Sequence, residues 1–150
     1  MNSSPRTRRH AAGFTLVEVM IATAISGVLA SVAYPSFSGV MHKVKRCEAL
    51  TALMQLQQAE ERWRSDNSRY GTLDEVGVAS AAPGRNYLLS VADASATGYV
   101  AVAQATGTQA SDRKCRYLRL AFQAGNLATS SGETESADND AQANRQCWNQ

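Results

Sequence analysis

The sequence is short of the groups that chemistry draws on. It has two histidines, three cysteines and three prolines in 150 residues, and 7% of it is aromatic. His10 stands in a basic N-terminal stretch and His42 just beyond a long apolar run, so neither has a companion acid and nucleophile. Cys47, Cys115 and Cys147 are too far apart for a zinc knuckle and too few for a metal cage. Glu60 with Glu61, and Asp138 with Asp140, read as solvated charges rather than acid–base pairs. Asp138, Asn139 and Asp140 offer the oxygen ligands calcium takes, but the segment lacks the glycine and distal glutamate of an EF-hand. No catalytic residue, metal ligand or cofactor site is assigned, and the chain is not read as an enzyme.

The most telling scarcity is of charge. From Phe14 to Met41 the only charged residue is Glu18, in a run of 28 residues. At about 1.5 Å per residue, roughly 20 of them cross a bilayer core of ~30 Å. An acidic side chain inside such a segment costs roughly 2.5–3.5 kcal/mol unless it is paired. The run holds no Lys, Arg or His, so the expected partner of Glu18 is a free amine on another chain. Arg6, Arg8 and Arg9 precede the run, which places the N-terminus in the cytoplasm and the body outside the inner membrane. Ala22, Ala24, Ser26, Gly27, Ala30, Ser31 and Ala33 supply the small residues that let membrane helices approach closely. Pro35 should kink the helix or locally melt it.

Beyond Ser38 the helical signal continues to about Asp66 but becomes amphipathic. Ala49, Ala52, Leu53, Leu56, Ala59 and Trp63 form one stripe, and Lys43, Arg46, Glu48, Gln55, Gln58, Glu61 and Arg62 fill much of the remainder. Cys47 projects away from that stripe. Asp66, Asn67 and Ser68 end the helix, and Tyr70 to Arg85 reads as a loop. Asn86–Val91, Gly98–Ala105 and Arg116–Phe122 are short strand signals that predict an antiparallel meander, with Gly125 supplying positive φ in the turn that follows. Leu127 to Gln146 has almost no large apolar residue and, untethered, would be disordered.

Gly13, Phe14, Thr15, Leu16, Val17 and Glu18 resemble the prepilin cleavage and methylation motif of the type IV pilin family, and the chain most resembles its PilE-type minor pilins. The resemblance implies cleavage between Gly13 and Phe14 by the prepilin peptidase and N-methylation of Phe14. It also implies subunit assembly through Phe14, Thr15 and Glu18, with Glu18 at the fifth mature position meeting a neighbour's amine. Pro35 resembles the family's helix-bending proline.

Fold and organisation follow from the resemblance. It implies an α+β pilin fold: a long N-terminal helix packed on a small antiparallel sheet, with a disulfide-closed C-terminal loop. Residues 1–13 form the leader, 14–37 the transmembrane and filament-core helix, and 38–150 the periplasmic head. Cys115 is paired with Cys147, as in the cysteines that bound the C-terminal loop of many type IV pilins, which leaves Cys47 as the odd thiol and Trp148 sealing the bridge against the sheet.

The implied partners are other pilins in a helical filament, the prepilin peptidase and methyltransferase, the assembly ATPases and platform, and the membrane. After assembly the chain is expected in the pilus at the cell surface. Two readings compete. A type II secretion pseudopilin shares the N-terminus, though the resemblance implies a calcium-stabilised, disulfide-free head there. A competence pilin would bind DNA through Arg113, Lys114, Arg116 and Arg119, four cations around Cys115 that could equally be a solvated strand edge.

Overall fold

The structure is a computed structural model that describes residues 14–150, with only the backbone of residues 33–36. It divides into two units, Met1–Ser38 and Gly39–Gln150. Gly13 and the leader lie outside the described residues, as does the kink expected at Pro35.

Helix α1 runs Leu16–Asp66. Its start is fixed by a Thr-x-x-Glu capping box: the Thr15 amide and hydroxyl both donate to Glu18 Oε2 at 2.9 Å, and the Glu18 amide donates back to Thr15 Oγ1 at 3.2 Å. In the first unit its apolar side chains are exposed, Leu16 at 76%, as is Phe14 just before the helix. Its hydroxyls fold back on their own helix, Thr23 to the carbonyls of Val19 and Met20, Ser26 to Ala22 and Ser31 to Val28, so they present no bare donor to an apolar solvent. Neither part of the helix, Leu16–Val32 or Phe37–Asp66, is long and apolar enough to cross a membrane alone; the pair taken together has the length and composition of a span. The helix stops where Asn67 turns its backbone and side-chain amides onto the Trp63 carbonyl.

In the second unit α1 meets a sheet of four antiparallel strands in chain order, β1 (Tyr87–Ala92), β2 (Gly98–Ala105), β3 (Tyr117–Gln123) and β4 (Asn126–Gly132). Register stacks Leu89, Ala103 and Leu118 across the inner face, and Tyr99 beside Phe122. The inner strand β2 offers Ala101, Ala103 and Ala105 there, small side chains that leave room for the fully buried Leu53 and Leu56 of α1. Each such leucine contributes roughly 2 kcal/mol by area burial. Ala49, Ala52 and Ala59 are buried as the stripe predicts, while Trp63 is only half-buried. Tyr70, Tyr99 and Phe122 close one end as an aromatic cluster, with centroids 4.9–5.9 Å apart. The β3–β4 hairpin turns on Ala124 and Gly125, both at positive φ (48° and 85°), the type I′ geometry that matches strand twist.

The segment read as an irregular loop after Leu127 contains β4 and a short helix, α2 (Ala141–Cys147). Polar groups rather than apolar ones hold it, which is why hydropathy does not reveal it. Asn144 Nδ2 donates to the Thr129 carbonyl and its Oδ1 accepts from Ser131; Asn139 Nδ2 donates to the Lys114 carbonyl; Trp148 Nε1 donates to the Ser130 carbonyl. Asp140 caps α2 by accepting the Ala143 amide at 2.8 Å, so two of the three residues weighed as calcium ligands are engaged in holding the segment. The disulfide joins Cys115 to Cys147 as expected, with Cα atoms 5.4 Å apart, and Trp148 packs in the same buried cluster.

Candidate functional site

The N-terminal turn carries the chemistry of the first unit. Phe14, Glu18, Ala22 and Ser26 recur every four residues and border an open groove along the helix, so the acidic side chain sits on a face otherwise lined with small and apolar groups. Glu18 Oε2 is engaged by Thr15; Oε1 accepts no bond among the described residues. Thr15 therefore positions the carboxylate and satisfies half of it. The Thr15-x-x-Glu18 spacing is the sequence signal for this box.

The cations around Cys115 do not form one surface. Arg113 pairs with Glu133 at 2.8 Å, and Arg116 donates to the Ala110 carbonyl at 3.0 Å. Arg119, on β3, lines a separate cleft with Asp93 and Glu135. Lys114 is exposed and makes no ion pair among the described residues. The strand direction divides the quartet, because Arg119 stands on the sheet face opposite the helix.

The connection between β2 and β3 holds a buried polar hub with no local signal in the sequence. Gln109 is fully buried; its Oε1 meets His42 Nδ1 at 2.9 Å, and its Nε2 reaches Tyr87 Oη at 3.1 Å and Asp112 Oδ2 at 3.2 Å. Tyr87 Oη donates onward to the Cys115 carbonyl, and burial pushes that phenol up to about 12. Arg46, expected among the polar residues outside the stripe, is buried, because it stands seven positions before Leu53 on the same face. Asp112, brought beside it by the loop, supplies the countercharge at 2.8 Å. Cys47 is exposed, as its helical phase predicts, and accepts from Asn149.

Glu60 corrects a second reading. It is fully buried rather than solvated, with Oε2 accepting the Gly71 amide at 2.8 Å and Oε1 unbonded among the described residues. Burial pushes its carboxyl above the ordinary range. Trp63 Nε1 and Tyr99 Oη are likewise buried without partners. Its neighbour Glu61 remains exposed, and no group of three or more His, Cys, Asp or Glu among the described residues could hold a metal ion.

Comparison with known proteins places this arrangement. Residues 35–119 match the family described as "Type IV minor pilin ComP, DNA uptake sequence receptor". The chain belongs to the type IV minor pilins. Residues 8–34 of this pilin also match the prokaryotic N-terminal methylation motif, which covers both Gly13–Phe14 and Glu18. It is 40% identical over 81 residues to "Type II secretion system core protein G" of Klebsiella pneumoniae, spanning 50% of this chain and 58% of that one. It is also 40% identical over 77 residues to "Type IV major pilin protein PilA" of Myxococcus xanthus, spanning 51% of this chain and 33% of that one. A core protein G of Aeromonas hydrophila is 35% identical over 81 residues, 51% and 57% of the two chains. The pilin thus spans between a third and three-fifths of the length of these curated relatives.

Proposed function

We propose that this pilin is a minor structural subunit of a type IV pilus. It is made as a precursor, cut between Gly13 and Phe14 and N-methylated on Phe14. Residues 14–37 store it in the inner membrane, with residues 38–150 in the periplasm. It then passes into a helical filament through the assembly platform. The observation that carries this reading is the Gly13–Glu18 sequence at the head of an exposed, almost uncharged helix, within a stretch that matches the methylation motif.

Extraction from lipid is offset by helix packing along the small-residue face and by pairing Glu18 with the methylated amine of a neighbour's Phe14. An unmatched charge left in that apolar bundle is costly, so the pair favours one axial register. Thr15 holds the carboxylate in place for that contact. Mass spectrometry of sheared surface filaments tests the reading: an N-methylated peptide beginning at Phe14 is expected, and its absence from filaments refutes it. A Glu18→Ala precursor should be cut normally yet incorporate poorly, while substitution of Gly13 should leave residues 1–13 attached.

A second reading, DNA uptake, is favoured by the matched family's description as a DNA uptake sequence receptor. It requires duplex binding that weakens with salt and is lost on substituting Arg113, Lys114 and Arg116. Assembly in a secretion pseudopilus is supported by the core protein G relatives. The disulfide-closed head weighs against it.

A further inference from the structure

Five cations converge beside the disulfide. Lys43 and Arg46 of α1 and Arg145 of α2 line a cleft of about 570 Å³, walled otherwise by amides such as Gln142 and Gln146. Arg46 and Gln146 also line an adjoining cleft of about 260 Å³ that takes in Arg113 and Lys114. The two form one groove around Arg46. Asp112 is the only acidic side chain lining either cleft, and Arg46 already neutralises it. Arg113 is matched by Glu133. Lys43, Lys114 and Arg145 are exposed, and among the described residues none of them meets a carboxylate. Three uncommitted cations flanked by amide donors are the complement of a phosphate.

A second observation says whose phosphate. The uncharged run ends at Met41, so Lys43 lies two residues beyond it, a rise of about 3 Å. Val40, Met41 and Val44, on the same turns of α1 as Lys43, are exposed. An apolar turn beside free cations is the composition of a helix at a lipid–water boundary, where apolar groups enter the acyl region and cations reach the headgroups. We propose that this groove binds the phosphates of anionic phospholipids and holds the head against the membrane while the pilin is stored there. DNA offers the same phosphates but gives no role to Val40, Met41 and Val44. The inference rests on the membrane-anchored reading above.

The test uses the full chain. Flotation with neutral phosphatidylcholine vesicles checks anchoring by itself. Intact-complex mass spectrometry from micelles holding equal phosphatidylglycerol and phosphatidylcholine then counts retained lipid. Each Lys or Arg near an anionic surface contributes about five-fold in affinity, so a preference for phosphatidylglycerol of about ten-fold or more is expected. It should vanish in Lys43→Gln/Lys114→Gln/Arg145→Gln and persist in Arg62→Gln/Arg85→Gln/Arg119→Gln, which removes equal charge elsewhere. Flotation without lipid preference in the unsubstituted chain overturns the groove alone. Equal loss in both variants overturns it too, as does a short DNA duplex that binds the groove when phosphatidylglycerol does not. Failure to float overturns the anchored reading and the inference with it.

Discussion

The guanidinium of Arg46 reaches Asp112 Oδ2 at 2.8 Å and Cys115 Sγ at 3.2 Å from the same nitrogen, so one helix side chain fastens both the β2–β3 connection and the disulfide to α1. Both partners are largely withdrawn from solvent, with side chains 9% and 15% exposed. Removing one partner strands the other charge in a poorly solvated site. Arg46→Ala should therefore destabilise the pilin by about 3 kcal/mol in urea denaturation. Asp112→Asn keeps an acceptor for the guanidinium and should cost less.

Reduction should separate the two kinds of cysteine. The bridge closes a loop between residues 32 apart, which on the chain-entropy account is worth about 3–4 kcal/mol. Thermal melts with and without reductant should show that loss, and Cys115→Ser should reproduce it. Cys47→Ser should leave the melt unchanged, because that thiol is exposed and outside the bridge.

Two carboxylates give the head opposite pH limbs. Burial raises the folded-state pKa of Glu60 above its ordinary 4.5, so its contribution to stability is greatest below that value and is lost as pH rises through the folded pKa. Glu75 is held down to about 2, first by the Arg69 guanidinium and then by the Thr72 amide, so its contribution is present above 4.5 and lost as pH falls toward 2. Urea midpoints followed from pH 2 to 8 should show Glu60→Gln flattening the decline toward neutral pH while still accepting from Gly71. Glu75→Gln should flatten the decline toward acid.

Gly98 opens β2 where the chain passes close to β3. A Cβ there would sit against the Phe122 carbonyl oxygen and the Gln123 side chain, and the backbone atom cannot swing away. Gly98→Ala should cost about 1–3 kcal/mol by calorimetry and loosen the Tyr70–Tyr99–Phe122 cluster, readable in near-ultraviolet circular dichroism. Gly107→Ala, at a positive φ with open space around it, provides the contrast of backbone strain without a clash.

The amino-acid order by itself determined the elements whose signal is local. The 51-residue helix, its buried stripe, three of the four strands and the turn at Gly125 follow from periodicity and turn chemistry, as does the exposed position of Cys47. The Gly13–Glu18 motif is equally local, being a string of sequence neighbours within the matched methylation motif. Tertiary structure alone decided which charges are solvated. Arg46 and Glu60 are charged, which reads as solvated, yet they stand seven positions either side of Leu53 on the buried face, where Asp112 and the Gly71 amide arrive from 66 and 11 residues away to meet them. The same holds for β4 and α2, which hydropathy misses because amide and hydroxyl bonds to β3's neighbours, rather than apolar burial, order them. It holds also for Lys43, Lys114 and Arg145, distant in the chain and gathered only when the Cys115–Cys147 bridge brings α2 beside α1. Local pattern records what each residue prefers, whereas charge burial depends on a partner whose position exists only after the chain has closed on itself.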